Sequence, residues 1–185
     1  ESANALLKVM EEPPEGVLFL LTADSLAGVL PTIRSRCVSF AIAPVSPADC
    51  ARYCTAHGVD KKTAALYSEL FDGHIGTVLT AARDKARTEQ VDKAMELARA
   101  AQAGDSYTAA VLLAPYEKDK AGAAALLRDL RAVAAAGLQG SPHAPVQGQQ
   151  AQRTLRLAEA AIQRLGAQVN PKIVLTVFAA RLAHA

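Results

Sequence analysis

The chain has 185 residues, of which 51% are apolar and only 4% aromatic, a composition that disfavours a sandwich or barrel and suits closely packed, alanine-rich helices. With 20 Lys and Arg against 18 Asp and Glu the formal net charge is +2, too small to argue nucleic-acid binding from bulk electrostatics. Three cysteines without framework spacing fit reduced thiols in a cytoplasmic protein, and the longest nearly uninterrupted apolar stretch, Gly16 to Ala23, is far short of the ~20 residues that cross a bilayer, so no membrane partner is expected.

In chain order, Ser2, Ala3, Leu6, Leu7, Val9 and Met10 read as a helix capped by Ser2 and stopped by Pro13-Pro14. The continuous apolar run Val17 to Thr22, set between Gly16 and Asp24, reads as a strand buried on both faces, and Val38 to Ile42 as a second strand. Two strands do not make a sheet, so the rest of it is expected upstream of Glu1, which is not a methionine and suggests that the natural start lies earlier.

From Ser46 onward the signals are helical. Ser46 caps a helix with Pro47 at its first position and Gly58 at its end, a second helix runs from about Lys61 to Phe71, and a third from Ile75 to about Lys85 after the Asp72-Gly73 stop. Val91, Ala94, Met95 and Ala98 make one apolar stripe, and Ala123, Leu126, Leu127, Leu130 and Ala134 make another. The turn-forming segment between Leu138 and Gly148 reads as a mobile surface loop without an assigned function. Leu155, Ala158, Ile162 and Leu165 mark a further helix, and Asn170-Pro171 opens the last.

Two segments carry a family resemblance. Asn4-Ala5-Leu6-Leu7-Lys8-Val9-Met10-Glu11-Glu12-Pro13-Pro14 is similar to the helix before the sensor 1 strand of AAA+ clamp-loader subunits of bacterial DNA polymerase III. Leu30-Pro31-Thr32-Ile33-Arg34-Ser35-Arg36-Cys37 resembles their Ser-Arg-Cys motif. The resemblance implies a mainly α chain in three parts: residues 1–44 as the C-terminal part of an AAA+ nucleotide-binding domain, 45–86 as a three-helix lid, and 87–185 as a helical collar for ring assembly.

The resemblance also implies roles. Arg36, supported by Ser35 and Cys37, would be an arginine finger reaching the γ-phosphate of ATP held by a neighbouring subunit, where a planar, permanently charged guanidinium can contact two phosphoryl oxygens. Its alternative is a surface residue in an ordinary ion pair. Arg34 would be an interface residue at most. Thr22 falls at the sensor 1 position. The motor subunits carry an arginine at the sensor 2 position, where this chain has Gly76, so the chain resembles the non-hydrolysing delta prime subunits more than the gamma/tau motors. The implied partners are the gamma/tau and delta subunits through the collar, with the sliding clamp and primer-template DNA reached through the complex, in the cytoplasm and at the replisome. No cofactor is expected in this chain itself, and a zinc module belongs upstream. A gamma/tau motor ATPase and an unrelated helical adaptor stay open as alternatives.

Other candidates are weaker. Cys50, Cys54 and His57 share one helical face at i, i+4, i+7, and Cys37 could approach them, but no short Cys-x-x-Cys knuckle is present, so no metal is assigned. His74 reads as a helix-start residue and His143 falls in the loop. Arg83, Lys85 and Arg87 read as a solvated helix end rather than a DNA-facing cluster.

Overall fold

A computed structural model describes residues 9–10, 13–23, 25–43 and 45–183. The chain divides into two compact units, Glu1–Ala43 and Pro44–Ala185. The opening helix predicted from Ser2 lies outside the described residues except at Val9 and Met10.

Among the described residues of the first unit, Val9 and Met10 are helical, and beyond them come a 3-10 turn, Leu26–Gly28, and one short helix, α1, Pro31–Arg34. The runs predicted as strands, Val17 to Thr22 and Val38 to Ile42, form no strand among the described residues, which corrects the sequence reading. A strand exists through hydrogen bonds to a neighbouring strand, whereas the Val17 amide turns back to the Pro14 carbonyl at 3.1 Å. With nothing paired against them, Leu18 is 90% and Ile42 95% exposed.

The second unit is helical because its caps and stops are explicit. Helix α2, Pro47–Ala56, starts where the Ser46 hydroxyl accepts from the Asp49 amide at 3.1 Å. Helix α3, Lys61–Leu70, starts where the Asp60 carboxylate accepts from the amides of Lys62 and Thr63 at 3.0 and 3.1 Å, satisfying donors that a first helical turn otherwise leaves open. The stop after α3 uses left-handed backbone at Asp72 and Gly73 (φ 47° and 74°). Only glycine fits the second of these, since a Cβ there would lie 1.7 Å from the Val45 carbonyl oxygen.

Asp84 ends α4, Ile75–Arg83, and begins α5, Lys85–Ala103, accepting from the Ala86 amide at 2.9 Å. Gly104 closes α5 in left-handed geometry and Asp105 opens α6, Ser106–Leu113. No apolar stripe marks α6 in the sequence, because Ala109, Ala110, Val111, Leu112 and Leu113 put apolar side chains on every side. Beyond a second 3-10 turn, Ala114–Tyr116, come α7, Lys120–Leu138, α8, Gly148–Gly166, and α9, Pro171–Ala183. Asn170 caps α9 as expected, its side chain accepting from the Lys172 amide at 2.9 Å.

The predicted stripes are the core. Val91, Ala94, Met95 and Ala98 on α5 and Ala123, Leu126, Leu127, Leu130 and Ala134 on α7 are all buried. Each fully buried leucine contributes about 1.5–3 kcal/mol of transfer free energy. Helices α7 and α8 run antiparallel, stitched at their surface by Lys120 to Gln168 at 3.1 Å and Arg131 to Glu159 at 2.8 Å. One continuous apolar cluster extends from Cys50 to Leu182, so residues 45–86 and 87–185 share a core. No described helix is long and apolar enough to cross a membrane.

Two further features depart from the sequence reading. The segment between α7 and α8 is not a free surface loop: Ala144 and Val146 are buried, the Ser141 hydroxyl donates to Glu69, and the Gln147 side-chain amide donates to the carbonyls of Ser141 and Ala144 at 2.9 and 2.8 Å. Its turn formers disguise two anchoring apolar residues. Arg87 does not end in solvent either. Its guanidinium makes a two-point pair with the buried Asp129 carboxylate on α7 and lies over the Phe71 ring at 5.6 Å, while Gln90 donates to the same carboxylate at 2.7 Å.

Breaking that pair from one side strands a buried charge, so Arg87→Met is expected to lower stability by about 3–5 kcal/mol, whereas Arg87→Met with Asp129→Leu recovers most of the loss. Urea denaturation of the two single variants and the double variant measures this. Additive losses would show that the pair is not the coupled unit its geometry indicates.

Candidate functional site

Helix α1 fixes the backbone that leads into Ser35 and Arg36. Pro31 occupies the first helical position, with φ already set for the helix. The helix ends within one turn, as the Ser35 amide reaches the Pro31 carbonyl and the Arg36 amide reaches Ile33, both at 3.0 Å. Ser35 and Arg36 then converge on one acceptor. The Ser35 hydroxyl donates to the Thr32 carbonyl at 3.0 Å, and Arg36 Nη1 donates to that carbonyl at 2.9 Å and to Ser35 Oγ at 3.3 Å.

A cation over the carbonyl end of a helix is favourable by about 0.3–1 kcal/mol. The bonds from Arg36 to Thr32 and Ser35 are charge-assisted on the donor side only, since both acceptors are neutral oxygens. Arg36 is exposed. An anionic oxygen brought to Arg36 would add an ion–ion attraction that the Thr32 carbonyl and the Ser35 hydroxyl do not supply. Cys37 comes next in the chain, half-buried, its amide 3.4 Å from the Arg34 carbonyl.

Of the other sequence candidates, Thr22 lies in the first unit, exposed in the run that forms no strand, and Arg34 is exposed at the last position of α1. Gly76 lies in the second unit, at the second position of α4, where an added Cβ would meet nothing within 4 Å. Its glycine is therefore not imposed by packing. Cys50 and Cys54 point into the core, but His57 does not join them. It caps the end of α2 with its ring stacked on Tyr53 at 4.0 Å and Nδ1 2.8 Å from the Tyr53 carbonyl oxygen. Among the described residues no cluster of His, Cys, Asp or Glu could hold a metal ion.

Burial, followed by the neighbouring Cys50, pushes the Cys54 thiol up to about 11. Of the basic cluster at the α4–α5 junction, Arg83 donates to the His57 carbonyl at 2.8 Å and Arg87 is paired internally, while Lys85 stands exposed 4.0 Å from Glu89. The Arg87–Asp129 contact escaped sequence reasoning because its partners are 42 residues apart and neither sits in a motif.

The family-model match falls on the unit that carries α1. Residues 1–46 match the family model described as DNA polymerase III, delta subunit. The delta prime subunit of Yersinia pestis is 46% identical over 52 residues, covering 28% of this chain and 15% of the relative. That of Pseudomonas aeruginosa is 38% identical over 82 residues, 44% of this chain and 25% of the relative. Over these stretches the chain is similar to delta prime subunits of DNA polymerase III. A gamma/tau subunit from Mycobacterium tuberculosis is also similar, 43% identical over 60 residues, 30% of this chain and 10% of the relative. The matched stretches thus span at most a quarter of these relatives' lengths. No solved structure matches the chain.

Two outcomes are expected from the local geometry. Alkylation of the native chain at pH 8 is expected to modify Cys37 first and to leave Cys50 and Cys54 intact until denaturant is added, which mass spectrometry of peptides resolves; early labelling of Cys54 would contradict its burial. Gly76→Arg is expected to leave the melting temperature unchanged or slightly higher, because the site is open and arginine is a better helix former than glycine by up to about 1 kcal/mol.

Proposed function

We propose that this chain acts in DNA replication as the delta prime type of clamp-loader subunit of DNA polymerase III, a member that does not itself hydrolyse ATP and lends Arg36 to the ATP site of a neighbouring gamma/tau subunit. The observation that carries the proposal is the conjunction of the family match over residues 1–46 with an exposed Arg36 oriented by Thr32 and Ser35 at the end of α1. In this reading residues 1–44 belong to an AAA+ domain, 45–86 form the lid, and 87–185 form the collar that meets the gamma/tau and delta subunits. The sliding clamp and primer-template DNA are engaged by the assembled loader at the replisome.

The chemistry asked of Arg36 is electrostatic. As a γ-phosphoryl group leaves, charge shifts among its oxygens, and a guanidinium offers two parallel donors without needing a proton transfer. Supplying that group from a neighbour makes hydrolysis depend on subunits being seated together. Gly76 supports the non-hydrolysing part, since glycine brings no charge to the position where a motor subunit would contact phosphate. The similarity to gamma/tau subunits keeps a motor reading in play, and nucleotide binding by the isolated full-length subunit separates the two.

In the reconstituted loader with clamp and primed DNA, Arg36→Ala is expected to slow hydrolysis at the adjoining site by about 10³-fold or more, with assembly unchanged by size-exclusion chromatography. Arg36→Lys should restore little, because an ammonium lacks the planar fork. Hydrolysis at the wild-type rate in the Arg36→Ala loader would overturn the assignment.

A further inference from the structure

The near-neutral net charge conceals a division along the chain. From Glu1 to Asp119 there are 12 basic and 16 acidic residues, whereas from Lys120 to Ala185 there are eight basic and two acidic. Both acids in the second stretch are already engaged. Asp129 is buried against Arg87, and Glu159 accepts from Arg131 at 2.8 Å. On α9 Lys172 is itself held by Glu117 at 3.4 Å, so the cationic side chains without an acidic partner gather on α7 and α8 and on the side of α8 that faces α9.

The helical register gathers these charges. On α8 the buried positions are Ala151, Thr154, Ala158, Ala161 and Leu165. At 100° per residue Arg156 stands opposite that buried side, with Gln149, Gln152 and Gln163 around it, and Arg164 lies toward α9. Because α7 is antiparallel and Arg131 meets Glu159, Arg128 lies one turn further along, beside the Gln163 region of α8. Arg128, Arg156 and Arg164 are exposed, and none of them has an acidic partner among the described residues. Arg153 reinforces the layer internally, donating to the Arg181 carbonyl on α9 at 2.7 Å.

We propose that the α7–α8–α9 face binds the phosphate backbone of nucleic acid without reading sequence. The side-chain chemistry favours a phosphate polyanion over an acidic polypeptide. Arginine forks match phosphate oxygens bidentately, and interspersed glutamines are donors suited to phosphate and sugar contacts. No aromatic side chain stands on the outer positions of α8 for base stacking, so duplex rather than single-stranded nucleic acid is the fitting partner. This surface lies wholly in the second unit and does not depend on Arg36.

Fluorescence anisotropy of the full chain with a labelled 20-base-pair duplex of arbitrary sequence tests the proposal. If Arg128, Arg156 and Arg164 each neutralise one phosphate, log K should fall against log salt with a slope of about −2.7, roughly a 40-fold weakening between 50 and 200 mM salt. The triple substitution R128Q/R156Q/R164Q should abolish most of the affinity and flatten that slope, with an unchanged melting temperature. K61Q/K62Q/K85Q removes the same net charge elsewhere and should leave binding largely intact. Equal losses in the two triple variants would reduce the effect to bulk charge and overturn the proposal. Displacement of the duplex by polyglutamate as readily as by unlabelled duplex would assign the face to acidic polypeptides and overturn it as well. Loss of Arg36-dependent hydrolysis is read in a different assay, so the two proposals fail independently.

Discussion

The second unit depends on one buried ion pair. Arg87 stands in the first turn of α5, three residues after the Asp84 that ends α4, and reaches Asp129 in the middle of α7. A carboxylate removed from water on the inner side of α7 is unfavourable unless its lone pairs are filled. The two guanidinium donors and Gln90 fill them, and the Phe71 ring packs on the guanidinium at the end of α3. The pairing with Asp129 in turn holds the Arg87 side chain more firmly protonated than an exposed arginine. Four elements, α3, the α4–α5 junction, α5 and α7, are thereby registered by a single polar cluster. The apolar core alone cannot do this, because hydrophobic contacts are non-directional.

Around that fixed point the packing is made by small side chains. Ala94, Ala98 and Ala101 on α5, Ala123 and Ala134 on α7, and Ala151, Ala158 and Ala161 on α8 are all buried, and they let helix axes approach closely where leucine would hold them apart. Gly137 extends the same logic: a Cβ there would lie 2.0 Å from the Val146 carbonyl oxygen. The close approach at Gly137 and the burial of Val146 are one event, and they hold the segment leading into α8.

Periodicity was readable wherever a helix has one wet and one dry side. Hence the stripes of α5, α7 and α8 and the caps at Ser46 and Asn170 follow directly from the sequence. It failed for α6, whose apolar residues surround the helix, and for the 139–147 segment, where two buried side chains among turn formers carry no period. Val17 to Thr22 failed for a different reason. A strand is a relation between segments, and an apolar run specifies only one partner in that relation. Arg36 was legible through its motif, while the bonds to Thr32 and Ser35 that orient it needed coordinates.

The recognisable segment and the well-packed segment are different parts of the chain. The family match ends at residue 46, close to where the compact helical unit begins. Many sequences of suitable volume and pattern can satisfy a helical core, so its helices carry little that marks a family. An exposed arginine at the end of a one-turn helix, with a serine beside it sharing a carbonyl acceptor, is instead not dictated by core packing. Function resides in sites carried by folds rather than in the folds themselves. The stretch that resembles a known family is thus the one with few regular elements among its described residues, while the second unit contains nearly all of the packing.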